Sequence, residues 1–175
     1  MLKVQVGCSI RSLLCKQTGV ASDYVDERIS TVFLDGKPVD DVDSAIVKNG
    51  SVLALSAAMP GLVGTTLRKG GHLASLRSTI THRKEDEHIP NQEGFVVIKL
   101  FNLLIRELGP AFLEQGVMIK NSDFEGLLKS RFDEIHAGCR GVSLNGKEMH
   151  LDKLVGTDLF SRQDHILLRI IRNFT

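Results

Sequence analysis

The chain has 175 residues, 42% of them apolar and 5% aromatic, with a formal net charge of +1. That length suits one medium domain or two small ones, and the near-neutral charge excludes bulk electrostatic binding of nucleic acid as a default. No apolar run nears the ~18 residues of a membrane helix, because the longest, Val96 to Ile105, is broken by Lys99 and Asn102.

Leu2-Lys3-Val4-Gln5-Val6 alternates apolar and polar residues, the pattern of a half-buried strand ended by Gly7. Ser9 is a fitting N-cap for a helix over 9–18 with Ile10, Leu13 and Leu14 on one face, stopped by Gly19. Thr31 to Leu34 reads as a strand, Asp35-Gly36 as a turn, and Asn49-Gly50 as a second turn feeding a strand over 51–56. A Gly-rich stretch follows, and residues 72–81, rich in Ser and Thr, form a weaker candidate strand. Arg83 to Asn91 is polar and charged and closes with Pro90, which marks a linker at 83–93 between domains at 1–82 and 94–175.

The second half restarts with a strand over 95–101. An apolar segment, Leu103 to Leu108, ends at Gly109-Pro110. A short strand at 117–119, a helix over 122–132 and a strand over 141–144 come next. Asn145-Gly146 is a strong hairpin turn, and the last strand spans 164–171. The halves repeat one order of elements, and each carries a strand ending in Leu-[Asp/Asn]-Gly-Lys after an amphipathic helix.

Three segments carry a resemblance. Ile98-Lys99-Leu100-Phe101 with Ile105-Arg106-Glu107-Leu108-Gly109, Val47 to Leu55, and Gly7 to Leu14 resemble the small sulfur-carrier subunits of molybdopterin synthase and thiamine biosynthesis. The resemblance implies an α+β chain of two tandem β-grasp (ubiquitin-like) domains. The second copy is expected to be complete. The first is expected to lack its opening strand, which a permutation (from 72–81) or a second chain would supply; a homodimer is one such arrangement. Carriers of this family end in Gly-Gly. This sequence ends Arg172-Asn173-Phe174-Thr175, so the carrier chemistry is expected to be absent.

The most unusual stretch runs from Pro60 to Arg77. Gly61, Gly64, Gly70 and Gly71 sit there with Arg68, Lys69, His72 and Arg77, and no acid falls between Ser44 and Lys84. Glycines permit close backbone approach and anion nests, to which Arg and Lys add charge-assisted bonds. The alternative reading is an interdomain loop. Arg68-Lys69-Gly70-Gly71 also resembles a ubiquitin-type tail that cleavage after Gly71 would expose. Asp40, Asp41 and Asp43 read as a solvated turn.

Three cysteines, Cys8, Cys15 and Cys139, are an odd count without a secretory-type N-terminus, so free thiols and a cytoplasmic location are expected. Cys15 reads as structural, and Cys8 at a helix entrance is a candidate for a lowered pKa. The six histidines show no zinc-like spacing, and no cofactor is expected. No acid, base and nucleophile set converges in the sequence. The expectation is therefore a non-catalytic protein-binding or adaptor chain. A carrier derivative cut after Gly71 and an anionic small-ligand site at 60–77, possibly enzymatic, are the alternatives.

Overall fold

The computed structural model describes residues 1–82, 89–154 and 164–172. It is a mixed α+β structure in two compact units, one comprising Met1–Val117 with the segment from Arg169, the other Met118–Leu168. No helix among the described residues is long and apolar enough to cross a membrane.

The first unit is built on a five-stranded sheet. Its strands are β1 (Leu2–Val6), β2 (Thr31–Leu34), β3 (Lys37–Pro38), β4 (Val52–Ser56) and β5 (Gln92–Phe101), in the spatial order β1-β5-β4-β2-β3. The last strand in sequence lies inside the sheet. Residues 92–96 pair antiparallel with β1, Leu2 opposite Val96, and residues 97–101 pair parallel with β4, Val52 opposite Val97. The sheet of the first unit is thus completed by residues 92–101 of the same chain. Residues 72–81, a candidate strand, instead hold a 3-10 turn at Ala74–Arg77.

One face of the sheet is covered by helix. Ser9 caps α1 (Ile10–Ser12), its Oγ accepting from the Ser12 N–H at 3.2 Å, and the helix continues as a π-turn over Leu13–Gln17. Ile10, Leu13 and Leu14 are fully buried with Val6, Leu53, Leu55 and Val96. After the short α2 (Gly61–Leu67), α3 (Leu103–Gln115) adds Leu104, Leu108 and Phe112 to the same core. Gly109 and Pro110 were expected to end this segment, yet the helix runs through both. An interior proline costs about 3 kcal/mol, while burying each of three large side chains returns about 1.5–3 kcal/mol. Packing wins.

Two polar side chains substitute for missing strand partners. Asn49 Oδ1 accepts from the Phe95 N–H at 2.8 Å, and the Gly50 N–H donates to the Phe95 carbonyl. At the outer edge of β1, the Gln17 amide accepts from the Gln5 N–H and donates to the Gln5 carbonyl, both at 2.8 Å. An open strand edge is thereby blunted at one residue pair.

The second unit begins within β6 (Val117–Lys120) and holds α4 (Asn121–Ser130), α5 (Phe132–Gly138), β7 (Val142–Leu144), β8 (Lys147–Met149) and β9 (His165–Leu168). Its strands form two two-stranded sheets, β6 with β9 and β7 with β8. Phe124, Leu128, Leu151 and Leu154 make its core. With 94–101 committed to the first unit, the expected assignment inverts: the first unit holds the five-stranded sheet, and the second lacks the strand foreseen for it. Both Leu-[Asp/Asn]-Gly-Lys segments are two-residue hairpin turns with positive φ, 51° and 79° at Asp35-Gly36 and 51° and 80° at Asn145-Gly146. That is the geometry such pairs favour.

Candidate functional site

The basic segment 60–77 turns inward. Arg77 is 5% exposed, and all five of its guanidinium N–H groups have acceptors. Nε donates to the Thr66 carbonyl at 2.6 Å, the two terminal nitrogens reach the Asp40 carboxylate at 2.6 and 3.2 Å, and Thr81 Oγ1 and the Arg68 carbonyl take the rest. Asp40 Oδ1 also accepts from the Gly70 N–H at 3.0 Å. Lys69 Nζ donates to the Val25 carbonyl at 2.8 Å, and burial pushes its pKa down. Arg77 thus keeps no donor for an external anion. Arg68 and His72 are exposed.

The glycines act as packing and turn residues. A Cβ on Gly64 would stand 1.7 Å from the Met59 carbonyl oxygen, so only glycine lets α2 lie against residue 59. Gly61 and Gly70 have positive φ, and Gly71 N–H closes a turn onto the Arg68 carbonyl at 3.1 Å. Cleavage after Gly71 would have to open that turn.

The acids at 40–43 form a turn with Asp41 and Asp43 exposed, and each acid has a partner. Asp40 holds Arg77, Asp41 Oδ1 accepts from the Asp43 and Ser44 N–H groups, and Asp43 pairs with Arg11 at 2.7 Å. Arg11 also pairs with Asp26 at 2.6 Å. Glu107 projects from α3 to Arg28 and to the Tyr24 hydroxyl. Hydrogen bonds from Arg28 and then Tyr24 bring its carboxyl down to about 2, while burial and the Glu107 bond push Tyr24 up to about 12. Cys8 departs from expectation: burial raises its pKa and outweighs its hydrogen bonds. Among the described residues, no three His, Cys, Asp or Glu side chains converge as metal ligands.

A different region is open. Side chains alternate across a strand, so with Val32, Leu34, Leu53, Leu55 and Val96 in the core, Thr31, Phe33, Val52, Ala54, Ser56, Phe95, Val97 and Phe101 share the opposite face, with the charged Lys99 beside Ala54 and the Lys3–Glu93 pair towards β1. On this face Phe95 is 38% and Phe101 48% exposed. At one end, where Thr31 pairs with Ser56 and Ser56 with Phe101, lies a cavity of about 340 Å³. Phe33, Ala54, Met59, Pro60 and Phe101 give it apolar walls.

Three polar residues border the same cavity. Thr31 is 1% exposed, and its hydroxyl has no hydrogen-bond partner among the described residues. Asn102 has φ 55° and ψ −132°, a region that non-glycine residues seldom occupy. Its amide donates to Ser56 Oγ at 3.0 Å and to the Ala58 carbonyl at 2.6 Å, tying the chain after β4 to the end of β5. Sequence reasoning missed this region, although a signal was present: Phe33, Phe95, Val97 and Phe101 put apolar side chains on the second face of their strands, interrupted by Lys99. Compared with known proteins, the chain matches no family model, no curated protein and no solved structure.

Proposed function

We propose that the chain is a non-catalytic binding protein that takes a protein partner on the open face of its five-stranded sheet. The observation that carries this reading is the group Phe33, Val52, Ala54, Val97 and Phe95, with Phe101 at its end and the exposed Lys99 beside Ala54. The apolar side chains lie on the face that α1 and α3 leave uncovered. Aromatic residues grouped on an exposed face are the usual raw material of interfaces.

We further propose that this unit is a circularly permuted β-grasp domain. A helix on one face, a hairpin pair at one edge and a parallel central pair support that reading. In it, β5 is the opening strand moved to the end of the unit. The carrier alternative has no observation in its favour, and the anionic-ligand alternative loses the cation it most needed, Arg77.

The test is to fix the binding set by cross-linking in cells, reconstitute each pair from purified components and repeat with Val97→Asp and Phe95→Asp. Both side chains lie outside the core, so folding should persist by circular dichroism while affinity falls at least tenfold, about 1.4 kcal/mol. Unchanged affinity in both folded variants would remove the open face as the binding surface.

A further inference from the structure

The cavity at the Thr31 end of the open face has a more specific chemistry than the face around it. We infer that it receives a tyrosine side chain presented by the protein partner. This rests on the open-face reading above and names the anchor that such a partner would supply.

Size limits the occupant first. At about 340 Å³ the cavity is near the small end of the ~300–1,000 Å³ range of ligand pockets. It has room for a single aromatic side chain.

Charge limits it next. None of the lining side chains is ionisable. An anion or cation would lose its hydration with no counter-charge in return, so the occupant is neutral. The walls then select an aromatic group. Phe33 and Phe101 offer ring faces and edges, and Met59 a polarisable sulfur, all favourable partners for a ring.

The polar requirement comes from Thr31. Its buried hydroxyl can both donate and accept, and it has no partner among the described residues. A phenol hydroxyl satisfies it in either sense; a phenylalanine or leucine side chain does not. Asn102 supplies the pre-organisation. Its strained backbone and its two amide bonds hold the 56–58 wall in place before anything binds, so little ordering remains to oppose association. Tyrosine, apolar in its body and polar at its tip, fits all four conditions and is among the residues that dominate interface energetics.

The experiment titrates the full-length ¹⁵N-labelled chain with p-cresol, N-acetyl-L-tyrosinamide, toluene and inorganic phosphate, following amide shifts. The two phenols should move the amides of Thr31, Ala54, Phe101 and Asn102, with p-cresol binding about fivefold tighter than toluene, the worth of one ordinary hydrogen bond. Phosphate should move none of them. Thr31→Val should bring the two affinities together and leave that of toluene unchanged, which a general loss of structure would not do. Ala54→Leu, which fills the cavity from the sheet, should abolish both.

Equal affinity of p-cresol and toluene for the unaltered chain, or shifts centred elsewhere, would overturn the inference. Its failure is separable from failure of the open face. A partner lost by Val97→Asp but bound at full strength by Ala54→Leu refutes the tyrosine pocket and leaves the face standing. A partner indifferent to Val97→Asp refutes both, even where cresol binds.

Discussion

Asp40→Asn isolates the contact that fastens the basic segment to the sheet. The Arg77 side chain is 4% exposed and that of Asp40 33%, with the closest approach at 2.6 Å. Stripping the counter-charge from a buried cation costs about 3–5 kcal/mol. Water reaches the exposed third of Asp40 and recovers part of that, so about 2–3 kcal/mol is expected here. Asparagine keeps an oxygen for the Gly70 N–H, so the loss reports the charge. Arg77→Met keeps most of the buried stem and removes the cation that needed neutralising; it should cost less, about 1–2 kcal/mol. In the double variant Asp40→Asn should then add almost nothing, leaving a coupling of about 2 kcal/mol. Urea unfolding at constant m gives the energies, and amide exchange over 61–81 shows whether the loosening is local. An Asp40→Asn variant within about 0.5 kcal/mol of the unaltered chain, with unchanged exchange in that segment, would refute the view that the pair holds the segment down.

Gly64→Ala forces its new methyl against a backbone oxygen, not a yielding side chain. An overpacking cost of about 1–3 kcal/mol should appear as faster amide exchange over 59–67. Glu107 titrates near 2 in the fold against an ordinary 4.5, so its contribution is complete above about 4.5 and disappears as pH falls towards 2. Tyr24, raised from 10 to about 12, contributes below pH 10 and loses its share as pH rises through 12. Glu107→Gln should flatten the acid limb of a stability–pH curve, and an acid limb identical to that of the unaltered chain would count against the assignment. Gln17→Ala uncovers the backbone of Gln5 at the edge of β1, so sedimentation should reveal association that grows with concentration. Asn102→Gly relieves the backbone but frees residues 56–58, and its cresol affinity should fall even where its melting temperature rises.

Local signals were the legible part of the sequence. Ser9 as a cap, Asp35-Gly36 and Asn145-Gly146 as turns, and the alternation in 2–6 each depend on a few adjacent residues, and each appears in the structure. What failed depended on long-range pairing. Nothing within Phe95 to Phe101 says that it docks beside Val52 to Ser56 rather than opening a new domain, since an apolar strand suits either sheet. Pro110 failed for a related reason: three buried side chains of α3 outweigh one local breaker. Arg68 to Arg77 looked like a site because charge was counted along the chain, while its neutralising acid, Asp40, lies 37 residues before Arg77. The linker residues 83–88 and the terminal residues 173–175 lie outside the described structure.

The place of β5 in the sheet also sets when the fold can close. β1 and β4 do not touch as strands; each is hydrogen-bonded to β5, which leaves synthesis 36 residues after Ser56. At about 5–20 residues per second, the β2–β4 ribbon and the β1–helix segment wait roughly 2–7 s without the strand that joins them. Through that interval the apolar faces of Val6, Leu53 and Leu55 have no complete sheet to bury them. A nascent chain halted before Gln92 should therefore bind chaperones and yield to protease, and one halted far enough past Phe101 for the strand to clear the ribosome should do neither.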